Sequence, residues 1–282
     1  VRFSSPASLP LGVDLGSDCV SIVASDAEAG GFVVRETRTL DVPQSDAGAR
    51  DLKIAETVRA ILGGFQTRER RCVLAAPASD VVTRVFRAPP GMRRSEAERA
   101  AALEADSIVD WSASERLVAL DPLPGRPDEL LLSIARNSSV ERLVAIARAS
   151  GLRPVAVDVP ACVWRRALPG ADAMLDCSTD RATLTIFGEP IATTHVYAPR
   201  LIDDRLASSV RAAFVDARRE GVCDVQKLAI HASKFRYESL EELLRGDGYA
   251  IAPVELGGIE APPWAFAYGL ASWSVAPRGL AS

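Results

Sequence analysis

Two aspartates of this chain stand in matching surroundings. Asp14 lies in the run Leu11-Gly12-Val13-Asp14-Leu15-Gly16, and Asp176 ends the run Ala173-Met174-Leu175-Asp176. Each is followed by a short polar turn, Gly16-Ser17-Asp18 or Ser178-Thr179-Asp180, and then by two more apolar runs. A glycine turn lets backbone N–H groups approach phosphate oxygens with no side chain in the way. Two carboxylates facing each other across a cleft hold magnesium through water. Asp14, Gly16 and Ser17 in the first turn, and Asp176 and Ser178 in the second, are therefore the candidate phosphate-binding residues. Other chemistry is poorly provided for. His195 and His231 are the only histidines, and no Ser-His-Asp or Cys-His order marks a nucleophile. Cys19, Cys72, Cys162, Cys177 and Cys223 are odd in number and scattered, mostly in apolar segments. They read as reduced core thiols, not as a disulfide frame or a zinc site.

The elements that must position these residues belong to a chain of 282 residues, 48% apolar and 25% charged, enough for one large domain or two modest ones. Lys and Arg number 33 against 37 Asp and Glu, a net charge of −4, which argues against a general nucleic-acid binder. No apolar run reaches the ~18 residues that cross a bilayer. The opening VRFSSPASLP is too short and polar for a signal peptide, and the expected compartment is the cytoplasm.

Apolar runs and helical patterns alternate, so the class is α/β. Leu11–Gly16, Cys19–Ser25 and Gly31–Leu40 read as a meander, and Ile54, Val58, Ile61 and Leu62 form one helix face. Cys72–Ala75 and Val81–Ala88 read as strands. Ser95 with Glu98, and Ser138 with Glu141, resemble capping boxes that open helices running to Val109 and to Gly151. Leu130–Arg136 is a strand, and the proline-rich Asp121–Asp128 reads as an exposed loop. After a strand at Pro154–Val159 and a short helix at Ala161–Leu168, a second meander begins at Ala173. A helix to Arg219, a strand at Lys227–His231, a helix at Ser239–Arg245, a strand at Tyr249–Pro253 and a helix at Trp264–Trp273 complete the chain. The aspartate, turn and hairpin thus occur twice, a duplication in pattern and not in identity. RERR (Arg68–Arg71) and Arg93-Arg94 read as solvated basic loops, and Arg165-Arg166 and Arg218-Arg219 as helix-terminal pairs that suit the dipole. His231 reads as a satisfied residue at a strand end, and His195 as half-exposed.

With these segments in order, the sequence resembles the actin-like ATPase superfamily, and within it the PilM proteins of type IV pilus assembly, related to FtsA. LGVDLGSDCVSIVA (11–24) and AMLDCSTDRATLTIFGEPI (173–191) are similar to the two phosphate loops. APASDVVTRVFRAPPGMRRSEAERAAALEADSIV (76–109) resembles the stretch leading into the inserted 1C subdomain, and ELLLSIARNSSVERLVAIARASGLRPVAVDVPACVWRRAL (129–168) the stretch leading out. AYGLA (267–271) resembles the last helix. The resemblance implies an actin-like fold of two ribonuclease-H-like halves with an inserted 1C-type subdomain. The expected spans are 9–88 for the first half, 89–152 for the insert, 153–171 for the return, 172–263 for the second half and 264–282 for the last helix and tail.

The resemblance also implies a cytoplasmic scaffold at the inner face of the inner membrane. Its partner would be the short cytoplasmic tail of a PilN-like protein, with the assembly ATPase as a further partner and membrane association only through partners. The tail would lie in a groove between the first half and the insert, lined by Val85, Arg87, Leu131, Ser133 and Ala135. The cytoplasmic domain of the type II secretion protein GspL is a close variant of this reading. An active actin-like ATPase or small-molecule kinase is the alternative. Departures weigh against it: Ser21 stands near the place of a family lysine, Asp18 adds a carboxylate to the first loop, Cys177-Ser178 replace a glycine, and His231-Ala232-Ser233 replace a glycine-rich adenine turn. The expected cofactor is none, or weakly held ATP with magnesium, in a degenerate cleft. A nuclease of the ribonuclease H type, with Asp14 and Asp176 as metal ligands, lacks a third carboxylate at readable spacing.

Overall fold

A computed structural model describes residues 8–16, 18–28, 31–89, 91–123, 126–177, 182–188, 192–197, 204–232, 234–246, 248–256, 258–260 and 262–273. The elements of the first half are β1 (Leu11–Leu15), β2 (Cys19–Glu28), β3 (Gly31–Asp41), α1 (Arg50–Gly64) and β4 (Arg71–Ala75). There follow β5 (Val81–Arg87), α2 (Arg94–Ile108), β6 (Arg116–Leu123) and β7 (Arg126–Arg136), then α3 (Asn137–Ala149), β8 (Arg153–Asp158) and α4 (Pro160–Ala167). The second half has β9 (Ala173–Asp176), β10 (Thr183–Ile186), β11 (Thr193–Val196), α5 (Asp204–Arg219), β12 (Lys227–His231), α6 (Lys234–Leu244) and β13 (Ala250–Pro253). A small hairpin, β14 (Glu255–Leu256) with β15 (Ile259–Glu260), precedes α7 (Ala265–Ala271).

Two five-stranded sheets repeat one topology, β3-β2-β1-β4-β8 and β11-β10-β9-β12-β13. In each, the strand carrying the aspartate pairs antiparallel with the next strand and parallel with the strand after the helix. Side-chain alternation explains the layers. Cys72 and Leu74 of β4 enter a core with Ile54, Val58 and Ile61 of α1 and Leu143 and Ile146 of α3, while Val73 turns to the other face, against Val163 of α4 and Leu270 of α7. In the second half Leu175 packs among α5 and α6 residues, and Met174 on the opposite face meets Trp164 of α4 and Ala265 of α7. Helices α4 and α7 therefore form a shared layer between the sheets. Gly12 admits α7 to this layer: a Cβ there would lie 2.0 Å from the Ala267 carbonyl oxygen.

The boundaries of the insert differ from the expected 89–152. β5, expected in the first half, pairs with β7 in a separate three-stranded sheet of order β5-β7-β6, backed by α2 through Phe86, Leu132, Ile134, Ala97, Ala101 and Ala105. α3, expected in the insert, buries Leu143, Ile146 and Ala147 in the core of the first half and occupies the place that α6 has in the second. The insert is thus β5-α2-β6-β7, between β4 and α3. The expected loop Asp121–Asp128 is largely strand: β6 runs to Leu123 and β7 starts at Arg126. Pro122 is tolerated because β6 is an edge strand that needs no outward N–H.

The helix caps shift as well. The Glu96 carboxylate accepts the Arg93 N–H (3.0 Å) and α2 starts at Arg94, ahead of Ser95. α3 follows β7 without a loop, and the Asn137 N–H is taken by the Glu115 carbonyl at 2.8 Å. α6 begins at Lys234, not Ser239.

Candidate functional site: a cleft between the halves and a free sheet face

The parallel strands of both halves aim their C-terminal ends at one cavity of about 520 Å³, lined by Asp14, Gly16, Asp18, Trp164, Asp176 and His231 among others. Asp14 and Asp176 meet there, one from each sheet. Ser17 and Ser178, the other two expected phosphate residues, lie outside the described residues. Gly16 is required by its own turn, since a Cβ would stand 2.6 Å from the Cys19 carbonyl oxygen.

The electrostatics of the cleft are set by Asp14, Asp176 and His231. Burial, then the charge of Asp176, push the Asp14 carboxyl from 3.8 up to about 7, against the pull of His231. The parallel register of β9 and β12 puts His231 beside Asp176. The His231 ring is 6% exposed, with Nδ1 3.3 Å from Asp176 Oδ1 and Nε2 3.2 Å from the Pro262 carbonyl. Burial alone would lower its pKa. The hydrogen bond and charge of Asp176, the Pro262 carbonyl and the charge of Asp14 outweigh burial and raise it above 6.5. The ring also tilts against Trp164 at 5.3 Å between centroids.

Two other departures have structural answers. Ser21 is fully buried, shares a 2.8 Å hydrogen bond with the Thr39 hydroxyl, and donates to the Pro263 carbonyl at 2.9 Å. Asp18 faces Arg50 at 3.4 Å, so its charge is partly met. Arg166, expected as a dipole partner, instead ties the layers together: it donates to the Gly269 carbonyl (3.1 Å) and pairs with Asp158. Arg165 donates to the Gly188 carbonyl at 2.9 Å. Among the described residues no group of three or more His, Cys, Asp or Glu is placed to hold a metal ion, and all five cysteines are unpaired.

The expected groove residues share one face of the insert sheet. Val85 pairs with Leu131 across β5 and β7, Ser133 and Ala135 follow at every second residue, and all of them, with Arg87, point away from α2. Val85, Leu131 and Ala135 are half-buried, and Ser133 is 8% exposed with an Oγ that has no hydrogen-bond partner. The Arg87 side chain is 83% exposed and pairs with Glu129 at 3.2 Å. β5 is an edge strand, and a second cavity of about 250 Å³ flanks it, lined by Val81, Thr83, Arg84, Pro160 and Thr193 among others.

Sequence reasoning expected a satisfied His231 but not its partners, nor the contacts of Ser21 and His231 with the Pro263 and Pro262 carbonyls. The polarity of His231 at the end of an apolar strand was the one local signal. Its partners lie 55 and 31 residues away.

The fold recurs in known proteins. The fold matches the PilM–PilN type IV pilus biogenesis complex at a TM-score of 0.74 and 17% identity, covering 95% of this chain and 99% of that one. It matches the cytoplasmic domain of EpsL, an inner-membrane component of the type II secretion system of Vibrio cholerae, at 0.58 and 14%, covering 95% and 94%. The ethanolamine utilization protein EutJ of Carboxydothermus hydrogenoformans follows at 0.50 and 11%, covering 97% and 92%. No curated protein matches the sequence. The profile of one family, described as type IV pilus assembly protein PilM, matches residues 12–197, the stretch that holds both aspartates, the insert and the α4 layer. This chain, with its actin-like α/β fold, belongs to the PilM family of type IV pilus assembly proteins.

Proposed function

We propose that the chain is an assembly scaffold that grips the short cytoplasmic tail of a PilN-like inner-membrane protein. The observation that carries this reading is the sheet face of β5 and β7 that α2 leaves uncovered. Val85 and Leu131 offer half-buried apolar contact there, and β5 offers a strand edge. An extended peptide takes main-chain hydrogen bonds from such an edge and side-chain specificity from alternate pockets. The likeness to the PilM–PilN complex over nearly the whole chain supports the choice of partner. In this reading the protein works on the cytoplasmic side of the inner membrane, reaches it through partners, and counts the assembly ATPase among them.

The same reading makes the nucleotide cleft degenerate, with ATP and magnesium held weakly if at all. Burial and the charge of Asp176 raise the Asp14 carboxyl to about 7, so magnesium binding there would have to displace a proton at neutral pH. His231 already sits beside Asp176 as a resident basic group. The Ser21 hydroxyl, near the family's lysine position, is consumed by Thr39 and Pro263. The test is a calorimetric titration of a PilN-like tail peptide into the chain and into Val85→Asp and Leu131→Asp. Saturable binding that weakens at least about tenfold in both variants, 1.4 kcal/mol, supports the groove. Equal affinity in all three proteins overturns it.

A further inference from the structure

Arg68-Glu69-Arg70-Arg71 reads as a solvated loop, but folding gathers other arginines around it. The Arg70 carbonyl accepts the Arg153 N–H at 2.7 Å, and Arg71 lies in register with Arg153 where β4 and β8 begin. The chain reaches β4 from the end of α1 and β8 from the end of α3. Arg59 of α1 donates to the Ala149 carbonyl at the end of α3 (2.9 Å), next to Arg148. Arg59, Arg68, Arg70, Arg71, Arg148 and Arg153 therefore share one pole of the first half. Because β1, β4 and β8 run parallel, this pole is the end of the sheet away from the cleft.

The positive charge there is poorly compensated. Glu69 is engaged by Arg71 at 2.6 Å, Glu36, nearby, pairs with Arg38, and Asp26 at the end of β2 pairs with Arg35, which leaves exposed Glu28 at the sheet's far side as the nearby carboxylate outside these pairs. Arg59 and Arg70 donate to backbone carbonyls, which satisfies their N–H groups without cancelling charge. Arg68, Arg148 and Arg153 are exposed and have no carboxylate within ion-pair reach among the described residues. The C-terminal dipoles of α1 and α3 offset about half a charge each, which leaves the pole strongly positive in a chain whose net charge is −4. The other basic pair, Arg93-Arg94, is by contrast neutralised by Glu96 and Glu98.

The pole is built from strand starts and helix ends and contributes to neither cavity. Of the large exposed apolar residues, Val155 alone is on its strands near these starts. Tight docking of a protein partner centres on well-packed pockets with aromatic, apolar or arginine anchors, and this pole contributes to neither cavity. A planar anionic surface needs only charge of the opposite sign spread over an area. The geometry points to this pole as a contact for an anionic lipid bilayer, through attraction of the six arginines to lipid phosphates. The contact is independent of the partner groove and of the cleft.

The test is flotation of the 282-residue chain with vesicles of phosphatidylglycerol and phosphatidylcholine, and with pure phosphatidylcholine vesicles. The variants are the triple Arg68→Gln, Arg148→Gln, Arg153→Gln, and a control triple with the same charge loss elsewhere, Arg99→Gln, Arg219→Gln, Arg245→Gln. One basic residue near an anionic leaflet changes partitioning about fivefold, so the first triple should lose at least tenfold and up to about a hundredfold. The control triple should lose little, and phosphatidylcholine should not be bound. Wild-type binding should fall when ionic strength rises from about 0.1 M to about 1 M and the screening length shrinks from about 10 Å to about 3 Å. Equal flotation of both triples, or equal binding to uncharged vesicles, overturns the proposal. So does inorganic phosphate or a soluble acidic protein binding the pole where vesicles do not.

Discussion

His231 Nδ1 lies 3.3 Å from Asp176 Oδ1 while its Nε2 lies 3.2 Å from the Pro262 carbonyl. A neutral ring has one N–H, so the arrangement is fully satisfied only when both nitrogens carry protons. The imidazolium then ties β12 to β9 and to the segment before α7, beside the carboxyl of Asp14.

A pH dependence follows. The folded pKa of His231 is raised above 6.5, so its stabilisation is complete below the unfolded value and is lost as pH rises through the folded value. Asp14 acts in the same direction. Its folded carboxyl titrates near 7, against an ordinary 3.8, so the folded state binds the extra proton and stability falls between those values as pH rises. Thermal melts should show a falling Tm from about pH 5 to about pH 8. Asp14→Asn should raise Tm at about pH 8 and leave it nearly unchanged at about pH 4. A Tm that rises with pH across this window, or an Asn variant that melts lower at the alkaline end, would count against the arrangement.

The α7 layer makes a prediction about a residue outside the cleft. A Cβ on residue 12 would meet the Ala267 carbonyl at 2.0 Å and the Ala271 nitrogen at 2.5 Å, both backbone atoms that have no rotamer to move. Gly12→Ala should therefore cost about 1–3 kcal/mol or more, read as a lower urea midpoint. An unchanged midpoint would mean that α7 does not press on β1.

For the cleft, ATP with magnesium should raise Tm by little and give no saturable heat in the micromolar range. Each lost hydrogen bond is worth about 1–2 kcal/mol, and three losses together weaken a micromolar site by roughly 10²–10⁴-fold. A dissociation constant below about ten micromolar would show that the turns still hold phosphate, and would favour the kinase or ATPase alternative.

The duplication was readable in the sequence because it is written locally. An aspartate ends an apolar run of the right length, a turn follows, and alternation does the rest. The ownership of β5 and α3 was not, because it depends on which strand each element pairs with or packs against. Val81–Arg87 looks alike beside β4 or beside β7, and only the register Val85 to Leu131 decides. β6 was given no bounds because Pro122 masks its period, and an edge strand tolerates what a central one does not. The Asp14–Asp176 meeting was anticipated from repetition. His231 reads in the sequence as a satisfied strand-end residue, which it is, but its partners could not be named because distant segments supply them. The basic pole was invisible for the same reason, since Arg59, Arg148 and Arg153 join Arg68–Arg71 only when α1 and α3 end at the strands they feed.

The central claim is that the β5–β7 face is where an extended tail docks. The most direct measurement places a photo-reactive residue at Leu131, or at Leu103 on the outer side of α2, where the side chain is 73% exposed. Each full-length chain is then irradiated with the PilN-like partner in its membrane. The account predicts a crosslink from position 131 to the first residues of the partner's cytoplasmic tail and none from position 103. Crosslinks from 103 alone, or from 131 to a region of the partner other than the tail, would contradict it.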